Sequence, residues 1–164
     1  MKILVDSLEQ QPLDFIHPVR QVRFSPPDTG DYSIEGLVDK LRVERKKPEE
    51  LWGCCGHRRD HFRDQLKRLQ KFPYRLLIVE GSVSDLAHVK PSGQSRMTWP
   101  QVCSHLMRWT AEFGVPVWFL GPRSPETCLL FENLLIALHE HYIRLCSLPT
   151  RWRPLWVDPI VPSK

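Results

Sequence analysis

The sequence predicts an α/β layered fold in which a mixed central sheet lies between helices. Three observations carry that prediction. Leu76-Leu77-Ile78-Val79 and Val115 to Leu120 are short, continuously apolar runs, the pattern of strands buried on both faces. The segments that precede and follow them carry apolar residues at helical spacing. Before both comes a pair of short strands close enough in sequence to form a hairpin, and helices alternating with buried strands pack as layers.

The first strand is read over residues 2–6, ending in Asp6. Residues 10–29 contain Pro12, Pro18, Pro26 and Pro27 and read as loop or sheet edge. Asp31 to Gly36 reads as a strand and Leu41 to Lys46 as its partner, with Leu41 and Val43 alternating against Arg42 and Glu44 across the four-residue connection Leu37 to Lys40. Pro48 opens a short helical turn. A helix follows over His57 to Lys71, with Phe62, Leu66 and Leu69 on one stripe and Pro73 ending it. Residues 81–97 are polar, hold Pro91 and Gly93, and read as a loop. Thr98-Trp99-Pro100-Gln101 starts the next helix: a capping threonine, a glutamine three later and a proline in the first turn. Its stripe is Val102, Leu106, Trp109 and Phe113, closed by Gly114. Trp99, Trp109 and Trp118 are expected in the core. Ser124-Pro125-Glu126 starts a last helix to about Cys146, and residues 148–164, with Trp152, Trp156 and four prolines, form a tail that packs as an extended arm.

Composition narrows the function classes. At 41% hydrophobic and 26% charged, the 164 residues have the balance of a globular domain rather than of a disordered chain. No apolar run reaches the eighteen residues of a membrane span, and the N-terminus lacks the apolar length of a signal peptide. Five cysteines are an odd number and form no disulfide framework. An intracellular location is expected, cytoplasmic in a prokaryote or virus and nuclear in a eukaryote. The net charge of +4 is mild, but it is concentrated: His57 to Arg75 holds Arg58, Arg59, Arg63, Lys67, Arg68, Lys71 and Arg75 against Asp60 and Asp64 alone. Such a stripe either neutralises phosphates or is a solvated helix face.

The hairpin carries the chemistry. Residues two apart in a strand share a face, so Glu44 and Lys46 point the same way. Pairing symmetric about the loop sets Asp31 opposite Lys46 and Ser33 opposite Glu44, which gathers Asp31, Glu44 and Lys46 into one cluster. Carboxylate oxygens are hard ligands suited to Mg²⁺ or Mn²⁺, and a lysine beside them can orient water or neutralise charge building on a phosphate. Asp6, Glu9 and Glu50 are within reach of the same place in sequence. A surface hairpin with cross-strand ion pairs has the same composition.

In order along the chain, these residues resemble the XPF-type nuclease family. The family pattern is Gly-Asp-Tyr, a short variable stretch, Glu-Arg-Lys, then an acid four places on. Here it reads Gly30-Asp31-Tyr32, Glu44-Arg45-Lys46 and Glu50. Val5-Asp6-Ser7-Leu8-Glu9 with Pro12-Leu13-Asp14-Phe15, the helix residues Arg59, Phe62, Gln65 and Leu66, Ile78-Val79-Glu80, and Phe113-Gly114-Val115-Pro116-Val117 extend it over about residues 3–140. The resemblance implies a restriction-endonuclease-like fold in a nuclease domain over residues 1–147, with the Pro/Trp-rich tail 148–164 outside it. It implies a Mg²⁺- or Mn²⁺-dependent endonuclease that hydrolyses DNA phosphodiesters at branched or flap-type junctions, in DNA repair, recombination or replication. Asp31 and Glu44 are then metal ligands and Lys46 the catalytic lysine. Arg45 offers its carbonyl to the metal and braces the site with its side chain, and Asp6, Glu9 and Glu50 are supporting acids. Arg58, Arg59, Arg63 and Lys67 are expected to hold the DNA backbone. A homodimer, or a heterodimer with a related chain, is expected.

Three departures bear on this reading. Leu8 stands where the family usually has arginine, and Glu50 where it usually has aspartate. The family's C-terminal pair of helix-hairpin-helix motifs has no counterpart in these residues: the chain is a minimal nuclease, a piece of a longer one, or one whose DNA contact a partner supplies. A non-catalytic relative that binds DNA or a nuclease partner as a scaffold is the alternative. Cys54, Cys55, His57 and His61 raise zinc, but adjacent cysteines suit a tetrahedral site poorly, and a small-residue turn into the basic helix is the favoured reading.

Overall fold

The structure, a computed structural model, describes residues 1–24, 29–89 and 97–157. Six strands form one sheet: β1 (Ile3–Asp6), β2 (Val19–Val22), β3 (Tyr32–Ile34), β4 (Leu41–Lys46), β5 (Tyr74–Val79) and β6 (Val117–Phe119), in the spatial order β2-β1-β3-β4-β5-β6. β3 pairs antiparallel with both β1 and β4, and the remaining neighbours run parallel. The helices are α1 (Pro48–Cys55), α2 (Arg59–Leu69), α3 (Val83–His88), α4 (Trp99–Phe113) and α5 (Pro125–Ser147), followed by a 3-10 turn at Thr150–Trp152. The chain therefore has the mixed, helix-flanked sheet that its periodicity predicts.

β5 explains why its sequence is apolar without alternation. Leu77 and Val79 pack with Leu51, Trp52, Phe62, Leu66, Leu106 and Trp109 under α1, α2 and α4, while Leu76 and Ile78 pack with Tyr32, Val43, Phe131 and Leu135 under α5. Each fully buried leucine of this kind contributes about 2 kcal/mol. α2 buries the predicted stripe, and Phe62 meets Trp109 edge-on at 5.5 Å. α4 ends at Gly114, whose φ of 60° is the left-handed conformation that a helix stop of this type needs.

Several elements differ from the sequence reading. The stretch read as a polar loop over 81–97 contains α3, capped by Ser82, whose hydroxyl accepts from the Asp85 amide at 3.0 Å while the Asp85 carboxylate accepts from the Ser82 amide at 2.6 Å. Pro91 and Gly93 lie outside the described residues, as do Pro26, Pro27, Pro159 and Pro162. The segment before residue 29, by contrast, is as read, loop and sheet edge: it supplies the edge strand β2. Only Trp109 of the three tryptophans expected in the core is there; Trp99, outside the buried stripe of α4, and Trp118, on the edge strand β6, are exposed. Trp52, by contrast, is buried in α1. In the tail, Trp156 packs on Tyr74 and Tyr142, while Trp152, at the end of the 3-10 turn, is exposed.

The hairpin register also differs. Pairing symmetric about the loop puts Tyr32 opposite Arg45, whereas the ladder puts it opposite Val43. Leu37 is the cause. It is buried, and it anchors turns on both sides: its N–H donates to Ile34, and its carbonyl accepts from Lys40 and Leu41. The connection is therefore lopsided. The offset is two residues, an even number, so every side chain keeps its predicted face.

Candidate active site

The even offset is what lets the cluster form. Val43 and Tyr32 face α5, so Glu44 and Lys46, and Asp31 at the start of β3, face α1 and α2. Glu44 is 1% exposed. One of its oxygens, Oε2, accepts from the Gly30 amide at 3.1 Å, and the other accepts from the Lys46 ammonium. Gly30 has φ 83°, and a side chain there would press on Arg42 at 3.1 Å, so glycine is required for the chain to pass this close to β4. Asp31 Oδ2 accepts from the Arg45 amide at 2.6 Å, and its Oδ1 accepts no hydrogen bond from the described residues. Lys46 also donates to the Arg45 carbonyl at 3.2 Å.

These groups border a cleft of about 310 Å³ walled by Leu8, Glu9, Asp31, Lys46, Lys47 and Glu50. A smaller hollow of about 130 Å³, walled by Asp6, Gly30, Glu44 and Gln65, shares Asp31 and Leu8 with it. Asp31 keeps some exposure through the cleft, yet burial is the largest force on its carboxyl and pushes its pKa well above the usual carboxylate range. The negative charge of Glu44 adds to that push, and Lys46 and the Arg45 amide oppose it. For Lys46 burial acts downward, but Glu44, Asp31 and Glu50 outweigh it, and the ammonium is held charged.

The supporting residues have defined duties. Arg45 projects to the opposite face from Glu44 and ion-pairs with Glu9 at 2.8 Å and with Glu80, all three side chains being buried. Glu50 accepts from the Lys47 amide at 2.7 Å, closing the first turn of α1 directly after Lys46. Asp6 is saturated: Oδ1 accepts from the Leu8 amide at 2.8 Å and from Arg23 at 3.2 Å, and Oδ2 from the Phe24 amide at 3.1 Å. It shapes the turn after β1.

The basic stripe divides. Arg58 lies exposed beside α1, its guanidinium 3.5 Å from the Glu50 carbonyl, and Arg59 begins α2. Arg63 is bound by both its terminal nitrogens to Glu112 and lies over the Phe113 ring, so it ties α2 to α4. Lys67 pairs along its own helix with Asp64 at 3.0 Å. None of the four borders the cleft. The cation that does, Lys47, was not singled out by spacing, although it directly follows the Glu-Arg-Lys motif; it reaches Gln11 at 2.6 Å. Gln65, on the predicted α2 stripe's flank, borders the smaller hollow.

The donor set available to an ion is Asp31, Glu44 and the Arg45 carbonyl, all oxygen, which fits Mg²⁺ or Mn²⁺ and not a soft metal. Five carboxylates, those of Asp6, Glu9, Asp31, Glu44 and Glu50, line the two hollows against four cations, Arg23, Arg45, Lys46 and Lys47, so acid is in excess there. Among the described residues no group of three or more His, Cys, Asp or Glu could hold a metal ion, and an ion held by two carboxylates and a carbonyl would complete its shell with water. The cysteine-histidine stretch does not gather into a zinc site: Cys54 and Cys55 are buried in α1, and no third ligand joins them among the described residues.

Comparison with known proteins bears on the family and the fold. The ERCC4 domain family model matches residues 5–134. No curated protein matches the chain. Among solved structures, XPF from Aeropyrum pernix aligns with a TM-score of 0.61 at 20% identity, over 91% of this chain and 74% of that one. XPF from the same organism in complex with DNA aligns at 0.60 and 19% identity, over 90% and 74%. At such identities the likeness shows the fold, which is restriction-endonuclease-like. With the family model spanning most of its length, the chain belongs to the ERCC4 domain family and carries an XPF-type nuclease domain.

Proposed function

We propose that the chain is a divalent-metal-dependent endonuclease that hydrolyses DNA phosphodiesters at or near branch points. The observation that carries this reading is that Asp31, Glu44 and Lys46 adjoin: Lys46 donates to Glu44, Asp31 and Lys46 line the larger cleft, and Asp31 and Glu44 line the smaller hollow beside it. Asp31, Glu44 and the Arg45 carbonyl would hold Mg²⁺ or Mn²⁺, which supplies Lewis-acid polarisation of the phosphate and a more acidic bound water. Lys46, kept charged by its carboxylate neighbours, stabilises negative charge building on the phosphate. Arg45, clamped between Glu9 and Glu80, fixes the peptide that lies between the two site residues of β4. Lys47 and Arg58 neutralise backbone phosphates on either side of the cut, a duty that Arg63 is too committed to share.

A second reading, a non-catalytic scaffold of the same fold, is favoured by one feature: three of the four oxygens of Asp31 and Glu44 already accept hydrogen bonds from the protein. Cleavage of labelled fork, flap and linear duplex DNA with Mg²⁺, with Mn²⁺ and with EDTA separates the two. Metal-dependent cutting close to the branch, lost in EDTA, is the expected outcome. Uncut DNA of every form, with a folded protein and either metal, contradicts the endonuclease reading.

A further inference from the structure

Leu8 is out of character with its surroundings. It is 67% exposed, belongs to neither hydrophobic cluster, and borders both hollows that flank Asp31. The described residues that line the larger cleft beside it, Glu9, Gln10, Gln11 and Lys47, are polar or charged. Nor is it a floppy loop residue. The Leu8 amide donates to Asp6 Oδ1 at 2.8 Å, the Glu9 amide to the Asp6 carbonyl at 2.9 Å and the Ser7 amide to Val22 at 2.8 Å. Asp6 is itself held by Arg23 and the Phe24 amide. A braced turn thus presents one large apolar side chain to solvent at the lip of a charged cleft.

A phosphate gains nothing from such a group, which has neither charge nor donor. The parts of a nucleotide that an isobutyl side chain can touch are the sugar and the face of the base, and a base face is reachable only where the stack is interrupted. From this, and resting on the endonuclease reading above, we infer that Leu8 is an apolar wedge that occupies the opened base step next to the phosphate that would face the Asp31–Glu44 pair. The preferred substrate class is then DNA whose stacking is already broken there, a fork or junction, and continuous duplex is disfavoured by the cost of unstacking it.

The test uses the full chain and a forked duplex carrying 2-aminopurine at its last paired position, with Ca²⁺ in place of Mg²⁺ so that binding is read without cutting. Binding of the unaltered protein raises the fluorescence, because the probe leaves the stack. Leu8→Ala loses that rise and lowers the ratio of fork to duplex affinity by about tenfold, whereas Leu8→Met keeps both. A Leu8→Ala protein that binds with the full rise and the full ratio overturns the wedge and leaves the endonuclease reading standing. Failure of the unaltered protein to bind the fork overturns both.

Discussion

Glu44 and Glu132 are both 1% exposed, yet the protein treats them in opposite ways. Glu132, on α5, is fully supplied with donors: the Ile16 amide at 3.0 Å, the His17 amide at 2.6 Å and His17 Nδ1 at 2.7 Å. Burial pushes its pKa up, but these three bonds outweigh it, and the acid is held below its ordinary value. It pins the loop after β1 to α5. Glu44 shares its pocket with a second carboxylate, Asp31, which has a single amide donor and a raised pKa. A buried acid that the fold satisfies is a tie. A pair that the fold leaves short of positive charge is a place for a cation, and such groups concentrate at functional sites.

That contrast can be broken first at the level of chemistry. Asp31→Asn or Glu44→Gln is expected to lower Mn²⁺-dependent cleavage by about a thousandfold or more, while Glu132→Gln changes it by less than about threefold. Equal losses in all three would erase the distinction. Stability gives the next largest effect, with the ranking reversed. Glu132→Ala leaves three donors without their acceptor, and because Ile16 is exposed, water recovers part of the loss; destabilisation of about 2 kcal/mol in denaturant unfolding is expected. Asp31→Asn removes a disfavoured buried charge and should stabilise the metal-free protein by about 1 kcal/mol, a rise of about 2–4 °C in melting temperature.

The pH dependence separates the two acids by sign. With a folded pKa above its unfolded value, Asp31 contributes stability that is fully present below about pH 4 and is lost as pH rises through the folded pKa. Glu132 has a depressed folded pKa, so its contribution is present above about pH 4.3 and is lost as pH falls through the folded value. Melting curves of the metal-free protein across this range should therefore show a shallow decline toward neutral pH that Asp31→Asn abolishes, and an acid-side decline that Glu132→Gln flattens. The same slopes in both variants would contradict the assignment.

How much of this was legible in the sequence follows from the range of the interactions involved. Strand and helix periodicity are local, and β4, β5, α2, α4 and α5 were read from them nearly to their ends. The face of the hairpin was also local, because parity survives an even offset; the offset was not, since it depends on Leu37 turning into the core. α3 was missed although Ser82 and Asp85 carry its capping signature, because six residues give too little periodicity to outweigh a polar neighbourhood. That Asp31, Glu44 and Lys46 lie together is legible in spacing and in the Gly-Asp-Tyr and Glu-Arg-Lys motifs. The Arg63–Glu112 tie and the Glu132–His17 tie were not, since partners 49 and 115 residues apart leave no mark on local pattern. Basic residues in a row therefore looked alike, and only contacts sorted Arg58 from Arg63.

The most direct test is calorimetric titration of the metal-free protein with Mn²⁺, without DNA. The account predicts binding that Asp31→Asn abolishes and Glu132→Gln leaves intact. Binding that survives Asp31→Asn unchanged, or no binding by the unaltered protein, would contradict the claim that the Asp31–Glu44 pair is the cation site.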